Sequence, residues 1–355
     1  MQRIPQLDGL RALAILMVFA AHAFHLPFLW TGVDLFFVLS GYLITGILLR
    51  LKDQSTTTEY FLSFYKRRAR RILPSYLTFL AIAGLTFSLP WAHIWYWYVF
   101  FAANFPLALG KSTIEALTPL WSLAVEEQFY LVWPWIVLCC SKQSLRSVAL
   151  ATVGLSPMLR AAATPLFSSH FPIYCLAIFR ADTLAFGAFL AVMQSEDDEW
   201  IFRNRRTGLY GSMAAVALFA PLATRPSFHP AANSILFNSM GYSLSVVAFG
   251  GALMYVLAME RGVVHSVLSS RGSRYLGQIS YTFYLYHVAV LEKMRLHLSP
   301  HWALGIGSFA LTLGLAAISW HLMERPILHG RLGNWRLRLP ETERCVGTDL
   351  RSEVL

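Results

Sequence analysis

The chain has 355 residues, of which 56% are hydrophobic, 14% aromatic and only 14% charged. Soluble domains average about 45–50% apolar and about 25% charged residues. With a mean hydropathy of +0.51, this composition excludes an ordinary soluble domain and indicates an integral membrane protein. The net charge of +10 does not point to nucleic acid, because the cations cluster between apolar stretches, as topology signals do.

The first apolar stretch, 10–29, contains "RALAILMVFAAHAFH". At about 100° per residue, Arg11 and His22 fall on one face, about 16 Å apart along the axis. His25 lies near the same stripe. Ionisable groups inside a membrane usually face a bundle interior or a watery cavity, and are functional by default. The short charged start and Ala21-His22-Ala23 also resemble a cleavable signal peptide. The apolar pattern continues at once into the next stretch, which favours an uncleaved helix.

The second stretch, 33–49, begins "GVDLFFVLSGYLI". Asp34 sits near its outer end, at the depth of His22 if the connecting loop is short. A carboxylate there could orient an imidazole and raise its basicity, or simply serve the helix N-terminus. The third, 72–89, is entered through "FYKRRARRILPSY", with five cations in the six residues from Lys66 to Arg71. Such a run reads as a positive-inside signal or an anionic-lipid contact. Arg68 and Arg71 are also one helical turn apart, a spacing that can grip phosphate bidentately.

The stretch 91–110 is aromatic and broken by Pro106; it could span, re-enter or lie in the interface. The remaining stretches are 119–140, which carries Glu126 and Glu127, 147–166, and 173–194, which carries Arg180 and Asp182. They continue at 208–223, 235–258, 275–294 and 302–323. Most approach the ~20 residues a bilayer crossing needs. Arg180 and Asp182 could pair with each other or with neighbours. His287 follows Tyr281, Tyr284 and Tyr286, and reads equally as an interfacial anchor or an active-site group. Glu324-Arg325-Pro326 reads as the end of the last helix. The cysteines Cys139, Cys140, Cys175 and Cys345 make no metal spacing, and no metal set is expected.

Charge chooses the topology. With the N-terminus cytoplasmic and 91–118 not crossing, the inner segments hold two basic residues at the start, seven in 50–71 and two in 141–146. Three more fall in 195–207, three in 259–274 and six in 324–355, giving 23 of the 29 Lys and Arg. The expected fold is therefore an all-α polytopic bundle of about ten transmembrane helices, with 91–118 re-entrant or interfacial and both termini cytoplasmic. One membrane domain covers 1–328, followed by a short polar tail, 329–355.

Seven motifs occur in order: "LDGLRALAILMVFAAH", "GVDLFFVLSGYLI", "RRARRILPSY", "LWSLAVEEQFYLVWP", "RADTLAFG", "LGQISYTFYLYH" and "MERP". From about residue 3 to 328 the chain resembles acyltransferase family 3, the integral-membrane O-acyltransferases. The resemblance implies transfer of an acyl group, usually acetyl, from cytoplasmic acyl-CoA to a hydroxyl of a carbohydrate or glycolipid in a bacterial inner membrane. It implies His22 as the catalytic residue, with Arg11 from the same motif and Asp34 beside it. It implies Arg68 and Arg71 as the acetyl-CoA contacts, with Arg67 and Arg70 forming an overlapping pair. Glu126 or Glu127 matches the family's acid. Some members carry a further hydrolase-like domain; here the bundle is expected to do the chemistry itself or hand its product to a separate partner. The competing expectation is a transporter or lipid flippase whose path Arg11, His22 and Asp34 would line.

Overall fold

The computed structural model describes residues 4–26, 28–87, 89, 91–111, 114–298 and 301–328. The expected tail, 329–355, lies outside the described residues. Among the described residues every regular element is helical. Ten helices of sixteen residues or more fall close to the ten apolar stretches. They are α1 Pro5–Phe24, α2 Gly32–Gln54, α3 Thr57–Phe87, α4 Leu120–Cys139 and α5 Lys142–Ala163. The rest are α6 Ala177–Glu196, α7 Trp200–Leu222, α8 Tyr242–Leu257, α9 Arg271–Met294 and α10 His301–Ser319.

Five segments, built around α1, α2, α6, α8 and α10, are long and apolar enough to cross a membrane. Helices α3, α4, α5, α7 and α9 do not meet that standard, although α3 runs for 31 residues. Their sequences carry the cation cluster of α3, the two glutamates of α4 and the polar start of α9. Hydropathy undervalues a helix whose polar groups turn into a bundle rather than into lipid.

Local chemistry sets the boundaries. α3 starts at a capping box: Thr56 N–H donates to the Glu59 carboxylate at 3.0 Å, and Glu59 N–H donates back to Thr56 Oγ1 at 3.4 Å. Ser141 and Ser270 cap α5 and α9 by accepting the N–H groups of Ser144 and Ser273. Lys52 does the reverse at the end of α4, donating to the carbonyls of Val137 and Cys140 at 2.9 and 2.7 Å.

Contacts between side chains set helix direction. Tyr60 donates to the Pro134 carbonyl, Tyr65 to that of Leu131, and the Arg68 guanidinium lies over the Tyr130 ring. Numbers rise on α3 as they fall on α4, so the two helices run antiparallel. The segment between them therefore leaves and re-enters the bundle at the same end. Its longest helix is the nine residues Trp91–Val99, about 14 Å against a hydrocarbon core of about 30 Å.

Glycine brings several pairs of helices into backbone contact. A Cβ on Gly41 of α2 would stand 1.9 Å from the Leu184 carbonyl oxygen of α6, and one on Gly187 would stand 2.0 Å from that of Val38. Likewise a Cβ on Gly277 of α9 would meet the Asp8 carbonyl oxygen of α1 at 1.9 Å. From that crossing α1 and α9 run in the same direction, so residues further along both helices remain neighbours.

Candidate active site

Helices α1, α2, α3, α4 and α9 line a cavity that is partly open to solvent. Arg11, Arg68, Arg71, Glu126 and Glu127 all line it, beside Tyr130, Tyr281 and Tyr284. Residues from three sequence-distant stretches thus meet in one place. Three guanidinium groups face two carboxyls there, with aromatic rings on the remaining wall.

The charged groups are held by named partners. Arg11 lies 3.8 Å from the Asp8 carboxylate, one turn earlier on α1. The Arg68 guanidinium sits 4.7 Å from the centroid of the Tyr130 ring, a cation–π contact. Ser40 donates to Glu126 Oε1 at 2.5 Å, and the Tyr130 hydroxyl lies 2.7 Å from the same Ser40 oxygen. Since the Ser40 proton goes to the carboxylate, Tyr130 donates to Ser40. Helix α2 therefore ties the acid to the ring under Arg68. The overlapping pair, Arg67 and Arg70, is not part of the cavity lining.

His22 is half-buried and lies beyond the cavity wall, on the same helix as Arg11. Its Nδ1 is 2.9 Å from the Val18 carbonyl and 3.3 Å from Nε2 of His287. The two rings meet edge to face at 5.0 Å. His287 in turn contacts Tyr284, which lines the cavity and bonds to the Ser122 hydroxyl at 2.6 Å. The histidine pair is thus joined to the cavity through Tyr284.

Asp34 stands elsewhere. It is fully buried, paired with Arg180 and accepting from Ser245 at 2.6 Å. The expectation that it orients His22 is corrected: both its oxygens are engaged by α6 and α8, and the His22 ring bonds to Val18 and His287 instead. Arg180 and Asp182 do not pair with each other. Arg180 takes Asp34, while Asp182 takes Arg160 at 2.7 Å. Two residues apart on α6, the side chains diverge by about 200° and reach different neighbours. Arg160 also donates to the carbonyls of Asn238 and Phe179 and to the Ser243 hydroxyl. Neither pair lines the cavity. Glu324 does more than end a helix: it is buried and accepts from Thr282 at 2.5 Å and Ser319 at 3.1 Å.

Sequence reasoning left out Ser40, Tyr130 and Arg160, and gave His287 two equal readings. Ser40 and Tyr130 lay inside the quoted motifs, but nothing in their spacing joins them. Arg160 could have been noticed as a lone cation in the apolar run "SPMLRAAA".

The chain matches the family model described as "Acyltransferase domain" over residues 4–321. It is 27% identical over 368 residues to the peptidoglycan O-acetyltransferase OatA of Listeria monocytogenes, covering 91% of this chain and 56% of that protein. It is 27% identical over 362 residues to the O-acetyltransferase OatA of Staphylococcus aureus (strain NCTC 8325 / PS 47), covering 91% of this chain and 57% of that one. The Bacillus subtilis protein YrhL, provisionally named a peptidoglycan O-acetyltransferase, is 29% identical over 370 residues, covering 91% and 55%. The chain spans a little over half the length of these relatives. No solved structure matches it. With a family match across nearly the whole helical bundle, the chain belongs to acyltransferase family 3.

Proposed function

We propose that the protein is a membrane O-acetyltransferase that moves an acetyl group from acyl-CoA to a hydroxyl of a cell-surface carbohydrate. The observation that carries this reading is the cavity in which Arg11, Arg68 and Arg71 converge with Glu126 and Glu127. Guanidinium groups suit the phosphates of a CoA donor, because their planar forks match phosphate oxygens. The aromatic wall suits its apolar arm. Peptidoglycan is the acceptor to test first, as the name of the Listeria relative records that substrate.

In this reading Arg68 and Arg71 hold the donor's phosphates at the cytoplasmic side, and Arg11 adds charge along the cavity. His22 takes the proton from the acceptor hydroxyl, so that its oxygen attacks the thioester carbonyl. Asp34 supports this at a distance, by fixing α2 to α6 and α8. The ten long helices would each cross the bilayer of the inner membrane, with both termini cytoplasmic and 91–118 returning to the outer side. The antiparallel course of α3 and α4 supports that topology.

The test is turnover. Purified protein in detergent is given radiolabelled acetyl-CoA and muropeptide acceptors, and product is followed by mass spectrometry. Acetylated acceptor with release of CoA thiol is the expected result. Failure both to bind acetyl-CoA and to consume it would overturn the reading.

A further inference from the structure

His287 is fully buried on α9 and faces α1. Its Nδ1 lies 2.6 Å from the carbonyl oxygen of Tyr284. A carbonyl can only accept, so Nδ1 carries the proton, and the neutral ring keeps its lone pair on Nε2. That Nε2 lies 3.3 Å from His22 Nδ1, which is itself 2.9 Å from the Val18 carbonyl. The same reasoning puts a proton on His22 Nδ1, shared between Val18 and His287. The lone pair of His22 is then on Nε2. The opposite assignment sets the bare Nδ1 of His22 against the Val18 oxygen, and requires His287 to be doubly protonated.

We propose that His287 is a positioning residue that holds His22 in its Nδ1–H tautomer, so that Nε2 is the nitrogen that accepts the acceptor's proton. This rests on the reading of His22 as the base. The acceptor O–H bond breaks and its proton goes to Nε2 as the oxygen bonds to the thioester carbonyl carbon. The C–S bond then breaks, and the departing CoA sulfur takes the proton back from Nε2. Throughout, the Nδ1–H of His22 keeps its two acceptors, and its ring cannot turn. A base oriented by a third group is a general arrangement for such chemistry. The orienting group here is a neutral imidazole. A carboxylate at this depth needs its own counter-charge, as Asp34 has in Arg180; an imidazole nitrogen accepts without adding a charge. Tyr284, whose backbone carbonyl sets the His287 tautomer, also lines the cavity, so two hydrogen bonds run from the backbone of a cavity residue to the base.

The experiment combines 15N-histidine NMR of the full chain in nanodiscs with kinetics of His287→Phe and His287→Gln. In the unmodified protein, His22 should show a protonated Nδ1 and a bare Nε2. His287→Phe keeps the ring volume but has no acceptor. It should lower kcat roughly tenfold to a hundredfold, part of the ~10²–10⁴ that a positioned base supplies, with the KM for acetyl-CoA unchanged. His287→Gln offers an amide oxygen to His22 Nδ1–H and should recover most of that loss. A bare Nδ1 on His22 in the unmodified protein would overturn the proposal, and that measurement stands even if His287→Phe does not fold. An unchanged kcat in folded His287→Phe would also overturn it. If His22→Ala still transfers acetyl while the tautomer is as assigned, the base reading has failed rather than the hydrogen-bond assignment.

Discussion

Arg68 and Arg71 line the cavity while Arg67 and Arg70 do not, although the four lie within five residues of one helix. A charge-assisted hydrogen bond to phosphate is worth about 1.5–3 kcal/mol. Replacing Arg68 or Arg71 by Ala should therefore weaken acetyl-CoA binding by roughly tenfold to a hundredfold. Lysine should restore it only in part, because an ammonium lacks the fork. Alanine at 67 or 70 should leave affinity within about twofold, well under the 1.4 kcal/mol that makes a factor of ten. Titration of acetyl-CoA against the four variants in detergent reads this out; the reverse pattern would move the donor contacts one residue along. His22→Ala should abolish transfer at equal membrane expression, and activity within about threefold of normal would remove it from the mechanism, since a positioned base is worth ~10²–10⁴. Asp34 is predicted to behave otherwise. Deleting one partner of a buried ion pair costs about 3–5 kcal/mol, whereas replacing both by apolar residues of similar size is often tolerated. Asp34→Leu alone should lower the unfolding temperature sharply, and Asp34→Leu with Arg180→Met should recover it. If the double variant is stable and active, Asp34 holds helices rather than protons; a stable but inactive one would return it to the chemistry.

Helix α1 carries Arg11 into the cavity and His22 to its neighbour on α9, and the spacing of those two helices depends on Gly277. A methyl group there would overlap the Asp8 carbonyl oxygen, with backbone on both sides and nothing flexible to yield. Gly277→Ala should push α1 from α9, lower the unfolding temperature and reduce transfer together. Gly272 begins the same helix and has open space around its Cα. Gly272→Ala should leave transfer unchanged and add up to ~0.5–1 kcal/mol of stability, because alanine loses less backbone freedom on forming a helix. Thermal unfolding of both variants, followed by light scattering, separates them. Equal effects at the two positions would show that helix propensity, not close approach, is what matters at 277. The π segment Trp320–Glu324 works on the same level. It follows α10 directly and holds Glu324 where Thr282 and Ser319 reach it, an extra residue in the turn re-aiming one side chain.

Helix directions follow from paired contacts. Lys142 reaches the Ser195 carbonyl while Arg160 reaches Asp182, so α5 and α6 are antiparallel. Asp34 meets Arg180 while Tyr42 meets Gln194, so α2 and α6 are parallel. These directions fit ten crossings with no net crossing in 91–118. Reporter fusions in the 141–146 loop and at the C-terminus should therefore both read cytoplasmic. An external reading in that loop would invert every later helix and place 14 basic residues, those counted from 141 onward, on the outer side.

Much of this was legible from residue order. Composition placed the chain in a membrane, the apolar stretches anticipated the ten long helices, and the motifs carried the family. Those features depend on local runs and spacings, which a linear text preserves. Arg11, Arg68, Arg71, Glu126 and Glu127 were likewise named before they were seen to meet. The partnerships were not legible. Asp34 and Arg180 are separated by 146 residues, and His22 and His287 by 265. Which cation answers which carboxylate in a dry interior depends on side-chain reach across helix pairs, and that is set by crossings such as Gly41 of α2 against α6 and Gly277 of α9 against α1. Periodicity says which face of a helix a residue occupies; only the packed bundle decides what that face meets, because one turn of relative rotation or slide would exchange every partner.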